Sequence, residues 1–289
     1  MGYQINEEKV FLSGHFACPG CSEALAVRYI VNTLGQDTIG VVPPSCIAII
    51  SGPQPLSSMK IPIYQTTLEA SAASAAGIKR ALLAKGNNHT NVVAIAGDGG
   101  TYDIGIQALS GAAERNEDII YVCLDNEGYM NTGTQKSSST PYLAYTTSTP
   151  SGKMTPKKNI AEIMAAHRIP YMATATTGYP DDLARKVAKA KEMKGLRFIV
   201  VLTPCLGGWG LPDNAGPTIS RLAVETGVFP LYEVENGDRY TLNYGSKGVP
   251  VEAYLKRQRR FKHLGQEQID EIQQEVDYNW RKLLNKINQ

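Results

Sequence analysis

The sequence predicts an α/β protein built on a doubly wound parallel sheet, and three observations support that class. Short runs of β-branched and other apolar residues have the length of buried strands. Longer segments, in which apolar residues have helical spacing, separate these runs. A regular alternation of strands and helices indicates right-handed crossovers, which make the strands parallel and place helices on both faces of the sheet.

Five strands and five helices are predicted in this way. The strands are residues 38–42, 92–96, 119–124, 171–175 and 198–202. The helices are residues 22–34, 69–83, 103–114, 159–166 and 181–194. Residues 126–157 follow neither period, and a loop of that length inside a compact domain is usually functional or a lid. Ligands on such sheets bind at the carboxyl ends of the strands, so the residues after each strand are the first candidates for function.

The chain after Thr203 shows no regular pattern until residues 252–288, which are highly charged and again have helical spacing. We therefore divide the chain into a sheet domain, residues 1–245, and a C-terminal helical arm, residues 246–289. The arm has an apolar stripe that must be buried somewhere. The stripe consists of Ile269, Ile272, Val276 and Leu283. We expect the arm to contact partner subunits.

Composition excludes several classes of protein. The chain has 289 residues, 43% of them hydrophobic, which is enough for a well-buried core. A formal net charge of +2 favours neither nucleic acid nor a membrane surface as a partner. Charged residues at positions 7–9 interrupt the apolar stretch that a signal peptide would need, and no run of about 18 apolar residues is present. We therefore expect a cytoplasmic protein.

A glycine-rich turn follows the second predicted strand. Its residues are Gly97, Asp98, Gly99 and Gly100. Glycines let the backbone approach a phosphate, and the N-terminus of the following helix favours negative charge. Asp98 offers a hard oxygen ligand to Mg²⁺, which bridges a diphosphate well. On its own this turn is weak evidence, because Gly-Asp-Gly after a strand is usually only a tight turn.

Asn126 follows the next predicted strand, 28 positions after Asp98. Neighbouring parallel strands would bring both side chains to the same end of the sheet, where a carboxylate and an amide oxygen can share one metal ion. This spacing resembles the thiamine diphosphate motif, which opens with Gly-Asp-Gly and closes with Asn. The resemblance implies Mg²⁺ bound by Asp98, Asn126 and the backbone carbonyl of Gly128. Asp125 stands where the motif usually has a further asparagine, and we leave it out of the ligand set.

Five cysteines, without a secretory signal, favour metal ligation or buried thiols over disulfides. Cys18 and Cys21 form a CxxC pair, while Cys46 and Cys205 each follow a predicted strand, so the four can meet near one end of the sheet. Four thiolates suit zinc and a [4Fe–4S] cluster equally well, and a redox CxxC with unrelated thiols is the other interpretation. Cys123 lies inside an apolar strand and is interpreted as a core residue.

Together these segments resemble the β subunit of pyruvate:ferredoxin oxidoreductase, a member of the 2-oxoacid:ferredoxin oxidoreductase family. The similar segments are residues 14–23, 97–100 and 129–133 and the surroundings of Cys205, within a match that covers roughly residues 10–265. The resemblance implies a fold of the thiamine-diphosphate-binding type and one [4Fe–4S] cluster held by the four cysteines. It also implies that the enzyme oxidatively decarboxylates a 2-oxoacid, namely pyruvate in the presence of coenzyme A. The electrons are then transferred one at a time to ferredoxin.

The resemblance further implies roles for individual residues. Asn131 is similar to the amide that faces the substrate carbonyl or the thiamine adduct, and Glu23 to a catalytic carboxylate near the cofactor. Glu23 can equally be an acidic residue that complements the dipole of a helix. Thr132 and Gln135 are expected to line the same pocket. His15 is either a cofactor contact or a structural residue.

Partner chains are implied by what this chain lacks. It has cysteines for one cluster and no ferredoxin-like run of four, so onward electron transfer needs another subunit. The carboxylate that activates thiamine normally comes from an opposing domain, which this sequence does not contain. The resemblance therefore implies α, γ and δ-type subunits and an active site at a subunit interface.

Two alternatives stay open. A sister enzyme would run the same reaction on oxalate, a branched-chain 2-oxoacid or 2-oxoglutarate, and residues 142–153 are the stretch to compare. A non-catalytic scaffold would use the four cysteines to bind zinc.

Overall fold

An eight-stranded sheet forms the centre of the protein, which is represented by a computed structural model. The structure describes residues 9–288; the N-terminal residues, where we expect no signal peptide, lie outside the described residues. The strands are β1 (Thr38–Val42), β2 (Ile63–Gln65), β3 (Asn91–Gly97), β4 (Ile120–Asp125), β5 (Tyr171–Thr176), β6 (Arg197–Leu202), β7 (Leu231–Glu235) and β8 (Arg239–Tyr244). Their order is β2-β1-β3-β4-β6-β5-β7-β8, in which β1 to β6 are parallel and β7 pairs antiparallel with both β5 and β8.

Helices cover both faces of this sheet. They are α1 (Ser22–Leu34), α2 (Cys46–Ser51), α3 (Ser71–Ala84), α4 (Ile106–Glu114), α5 (Ile160–Ala166), α6 (Pro180–Glu192), α7 (Leu206–Trp209), α8 (Gly216–Glu225), α9 (Val251–Leu255) and α10 (Gln266–Ile287). A π-helical turn, Gly99–Asp103, precedes α4, and a 3-10 turn, Arg259–Phe261, follows α9. Helices α1 and α6 bury their apolar sides on one face, whereas α3, α4 and α5 pack on the other. The predicted doubly wound parallel sheet is confirmed.

The parallel strands bring residues that are distant in sequence to one edge of the sheet. Strands β1, β3, β4 and β6 are neighbours in that order, and Asp125 on β4 is in register with Leu202 on β6. The chain leaves these strands towards Cys46, Asp98, Asn126 and Cys205 respectively. The carboxyl edge of the sheet therefore carries the residues that were predicted to bind metal.

The prediction that residues 203–251 are irregular is wrong. This stretch contains α7 and α8 and the β7–β8 hairpin. Asn236 and Gly237 form the turn of the hairpin, with φ of 55° and 82°, and Asn-Gly is the sequence most typical of such a turn. The turn sequence was present, but β8 is an edge strand with a partly exposed face and lacks the apolar run by which five of the strands were predicted.

The C-terminal segment packs on its own domain. Ile269 and Ile272 of α10 are buried in a cluster that includes Trp209, and Leu283 joins the cluster on one face of the sheet. Val276 is partly buried beside them. The chain itself thus covers most of the stripe that we expected a partner to cover, and a contact between the segment and partner subunits stays a prediction. No helix within residues 9–288 is long and apolar enough to cross a membrane.

Helix α10 should contribute measurably to the stability of the chain. Replacing Ile272 by Ala leaves a cavity in the cluster to which Trp209 also belongs, so Ile272→Ala should lower the free energy of unfolding by about 2–4 kcal/mol. Gln274→Ala, on the exposed side of the same helix, should change it by less than about 0.5 kcal/mol. Denaturant unfolding measures both values. Equal stability of the two variants would mean that α10 does not hold the domain together.

Candidate active site

One cavity of about 330 Å³ lies at the carboxyl edge of the sheet. Its wall brings together all four cysteines that were predicted to bind a cluster with three of the predicted site residues. These are Cys18, Cys21, Cys46 and Cys205 with Glu23, Asn126 and Asn131. The apolar part of the cavity wall includes Ile49, Ile50, Met130 and Leu206. The predicted grouping of the cysteines at one end of the sheet therefore holds in space.

Local structure presents each thiol to the cavity. Cys18 and Cys21 lie in a turn before α1, closed by a hydrogen bond of 3.2 Å from the backbone N–H of Cys21 to the carbonyl of Cys18. Gly20 within this turn has a φ of 68°, and a Cβ there would overlap the carbonyl of Asp213. Cys46 is the first residue of α2. Cys205 precedes α7 and accepts a hydrogen bond of 3.3 Å from the backbone N–H of Gly208.

The cavity favours neutral thiols when no cation is present. Burial, together with the nearby Glu23, raises the pKa of Cys21 to about 11. Burial also raises the pKa of Cys46 and of Cys205. A bound metal centre reverses this preference, because a coordinating thiol is deprotonated. Among residues 9–288, no three His, Cys, Asp or Glu side chains converge as the ligands of a single metal ion would.

Glu23 and Asn126 form a buried pair beside the thiols. Glu23 is in the first turn of α1, is only 4% exposed, and accepts a hydrogen bond of 2.6 Å from Asn126 Nδ2. Burial raises the pKa of Glu23 to about 7, while the Asn126 amide opposes the shift. Asn126 Nδ2 also lies 3.9 Å from Cys46 Sγ, and the Cys46 thiol donates to Asn131 Oδ1 at 3.1 Å. These contacts join the predicted thiamine residues to the predicted cluster residues.

Two buried oxygens have the character of cation ligands. Asn126 Oδ1 is buried without a hydrogen-bond partner, although a buried amide oxygen normally has one. Asp98 is buried, and burial together with the nearby Asp125 raises its pKa well above the usual value. The hydroxyl of Ser137 is its hydrogen-bond donor. The donor set therefore fits a hard divalent cation such as Mg²⁺.

The glycines of the predicted diphosphate turn are closely packed. Gly97 ends β3, and Gly99 and Gly100 open the π-helical turn. A Cβ on Gly99 would overlap the ring of Tyr129, so only glycine fits there. Gly128 is buried next to Gln135, whose backbone carbonyl lies 3.1 Å from the position that a Cβ would take.

Asp125, which we left out of the predicted ligand set, is bound by other side chains of the protein. It is fully buried and accepts hydrogen bonds from the hydroxyls of Tyr102 and Ser139 and from Lys157 Nζ. The same lysine is 2.7 Å from Glu127, which also pairs with Arg260. Burial alone would raise the pKa of Glu127, but the two cations lower it.

The remaining predicted residues lie away from the cavity wall. Thr132 is exposed, and its hydroxyl donates to Gln135 Oε1 at 2.6 Å. His15 stacks on Phe11 with 5.2 Å between ring centroids. These three polar residues are not among those that line the cavity, and their predicted contact with cofactor or substrate stays a prediction. Sequence reasoning missed Trp209 and Arg260, which lie in regions without a recognisable motif.

Comparison with known proteins places this geometry in a family. Residues 46–201 match the family described as thiamine pyrophosphate enzyme, C-terminal TPP binding domain. Pyruvate synthase subunit PorB of Methanocaldococcus jannaschii is 47% identical over 95% of this chain and 96% of its own length. Ketoisovalerate oxidoreductase subunit VorB of Pyrococcus abyssi is 45% identical over 96% of this chain and 93% of its own.

A solved structure shares the fold. It is the 2-oxoglutarate:ferredoxin oxidoreductase from Magnetococcus marinus with 2-oxoglutarate, coenzyme A and succinyl-CoA bound. The TM-score is 0.60 at 22% identity, over 71% of this chain and 70% of that one. From the near full-length relatives and the thiamine pyrophosphate domain, we conclude that this chain belongs to the family of 2-oxoacid oxidoreductase β subunits that includes PorB and VorB.

Proposed function

We propose that this chain is the catalytic β subunit of a 2-oxoacid:ferredoxin oxidoreductase, with thiamine diphosphate, Mg²⁺ and one [4Fe–4S] cluster. One observation carries the proposal. A single cavity joins four thiols to a buried carboxyl group and to an amide whose oxygen has no partner. A one-electron acceptor next to a thiamine site is the arrangement that such a reaction needs.

The magnesium site is proposed at Asp98, Asn126 and the backbone carbonyl of Gly128. Asp98 and Asn126 follow the adjacent strands β3 and β4, and β3 leads directly into the glycine turn. A divalent cation there would stabilise the ionised form of Asp98, which burial disfavours, and would give Asn126 Oδ1 the partner that it lacks. Gly97, Gly99 and Gly100 would lie against the diphosphate.

The cluster site is proposed at Cys18, Cys21, Cys46 and Cys205. A [4Fe–4S] cluster spreads its four thiolate ligands around a cube, whereas zinc needs all of its ligands at about 2.3 Å from one point. The four thiols line one cavity of about 330 Å³, and a near full-length relative is a subunit of an oxidoreductase. Both observations support a redox cluster rather than a zinc scaffold.

The chemistry divides between cofactors and protein. When bound, thiamine diphosphate supplies the nucleophilic carbanion and the cluster supplies one-electron transfer. The chain's own residues position the reacting groups and exclude water from the cavity. Asn126 holds Glu23 by a hydrogen bond of 2.6 Å, so that this carboxyl group can keep or release a proton at a fixed place. Asn131, which is exposed at the cavity, can orient the substrate carbonyl with its amide.

Pyruvate, with coenzyme A as the acyl acceptor, is the proposed substrate. The high identity to a pyruvate synthase subunit supports this choice, and the similar identity to a ketoisovalerate oxidoreductase subunit keeps a branched-chain 2-oxoacid as the alternative. This choice can be tested by assaying the anaerobically purified complex with pyruvate, ketoisovalerate, 2-oxoglutarate and oxalate. Each acid is assayed with and without coenzyme A. Ferredoxin reduction fastest with an acid other than pyruvate would contradict it.

Partner subunits of the α, γ and δ type are proposed to complete the site, with ferredoxin as the electron acceptor. Phe16 and Ile49 line the cavity yet are 53% and 52% exposed, an unusual state for large apolar side chains next to buried thiols. A partner that covers them would exclude water from the reaction.

The cluster assignment can be tested by iron content. Cys205→Ala removes one proposed ligand and should lower the iron of the complex well below about four atoms per β chain. Cys123→Ala is the matched control, because Cys123 is buried within β4 and should leave iron unchanged. Iron and zinc are measured together by elemental analysis. Equal iron loss from both variants, or zinc in place of iron, would overturn the assignment.

The magnesium assignment can be tested by cofactor binding. Asp98→Asn keeps the size of the side chain but removes its charge, and should weaken Mg²⁺-dependent binding of thiamine diphosphate by about 100-fold or more. Titration calorimetry at several Mg²⁺ concentrations measures this loss. Asp181→Asn, at an exposed position of α6, is the control and should bind as the unmodified complex does. Unchanged metal dependence in Asp98→Asn would place the site elsewhere.

A further inference from the structure

Arg260 brings the C-terminal segment to the carboxyl edge of the sheet. Its side chain is 4% exposed, and three partners hold the guanidinium group. Arg260 Nη2 lies 2.6 Å from Glu127 Oε2, and Nε donates to Gln258 Oε1 at 2.8 Å. The guanidinium carbon lies 3.7 Å from the ring centroid of Trp209. A group held by an ion pair, a hydrogen bond and an aromatic face has little freedom to move.

Trp209 in turn connects the two halves of the site. It is the last residue of α7, the short helix that begins directly after Cys205. Its indole N–H donates to the backbone carbonyl of Asn126 at 2.8 Å. Trp209 is fully buried, and the ring of Tyr254 packs edge-on against it. The contacts therefore form a closed path from the Cys205 helix to Asn126, on to Glu127, and back through Arg260 to Trp209.

We propose that Trp209 and Arg260 are positioning residues that fix the distance between the Asn126 segment and the Cys205 segment. This inference rests on the proposed function, in which Asn126 binds the thiamine metal ion and Cys205 binds the cluster. A buried indole N–H needs an acceptor, and here that acceptor is the backbone carbonyl of Asn126, the residue whose side-chain oxygen has no partner and is the proposed metal ligand. Groups that hold ligands in this way typically change metal affinity by about 10–100-fold when they are removed.

Two conservative variants each remove one contact of this path and keep the others. Trp209→Phe keeps an aromatic face for Arg260 but removes the N–H that Asn126 accepts. Arg260→Lys keeps a positive charge beside Glu127 but removes the planar group that stacks on Trp209. Arg257→Met, at an exposed position of the same segment, is the control.

The test uses the complete complex, purified without oxygen. The Mg²⁺ concentration for half-maximal thiamine diphosphate binding and the electron paramagnetic resonance spectrum of the reduced cluster are measured. We expect Trp209→Phe to raise that Mg²⁺ concentration by about tenfold and to alter the spectrum. Arg260→Lys should change both in the same direction by less, and Arg257→Met should change neither.

Several outcomes would overturn the proposal. If both variants melt at a lower temperature but keep the original Mg²⁺ dependence and spectrum, Trp209 and Arg260 serve only core packing. If Trp209→Phe does not assemble, Arg260→Lys decides alone by the same criteria. A failure of the proposed function itself is recognised separately, because the unmodified complex would then bind no thiamine diphosphate or hold no iron.

Discussion

The burial of carboxyl groups at the carboxyl edge of the sheet is the constraint on which the rest of the structure depends. Four carboxyl groups, those of Glu23, Asp98, Asp125 and Glu127, are each at most 4% exposed within one small region. A buried carboxylate without a partner is strongly destabilising. Lys157 and Arg260 neutralise Asp125 and Glu127. The long loop that ends near Lys157 and the C-terminal segment that carries Arg260 therefore supply the positive charges that this edge of the sheet needs.

The two acids without a basic partner lie where chemistry is proposed. Asp98 and Glu23 are paired with a hydroxyl and an amide, and burial raises the pKa of both. The side chain of Asn126 has a different part for each role: its nitrogen donates a hydrogen bond to Glu23, and its oxygen has no partner. An amide is suited to this place because it offers a donor and an acceptor at once, whereas a second carboxylate would add to the buried charge.

Most of the parallel core could be predicted from the sequence. Helix α1 was predicted with its exact bounds, and five strands were predicted to within two residues at each end, because buried strands are nearly continuous apolar runs. The grouping of Cys46 and Cys205 followed from parallel topology alone. Three strands were missed because they lack such runs: β2 has only three residues, glutamates interrupt β7, and β8 is half-exposed. Arg260 and Glu127 are 133 positions apart in the sequence, and no local sequence pattern predicts a contact between residues so far apart.

The wide separation of the cysteines has a consequence for biosynthesis. Cys18 and Cys205 are 187 positions apart, and Cys205 becomes part of the wall only after β6 has joined the sheet. A growing chain on the ribosome therefore cannot present all four thiols until most of the sheet domain has been synthesised. Iron for the proposed cluster would then be taken up only after most of the sheet domain has been made. Cys18, the exposed member of the four, is the thiol that solvent reaches most easily.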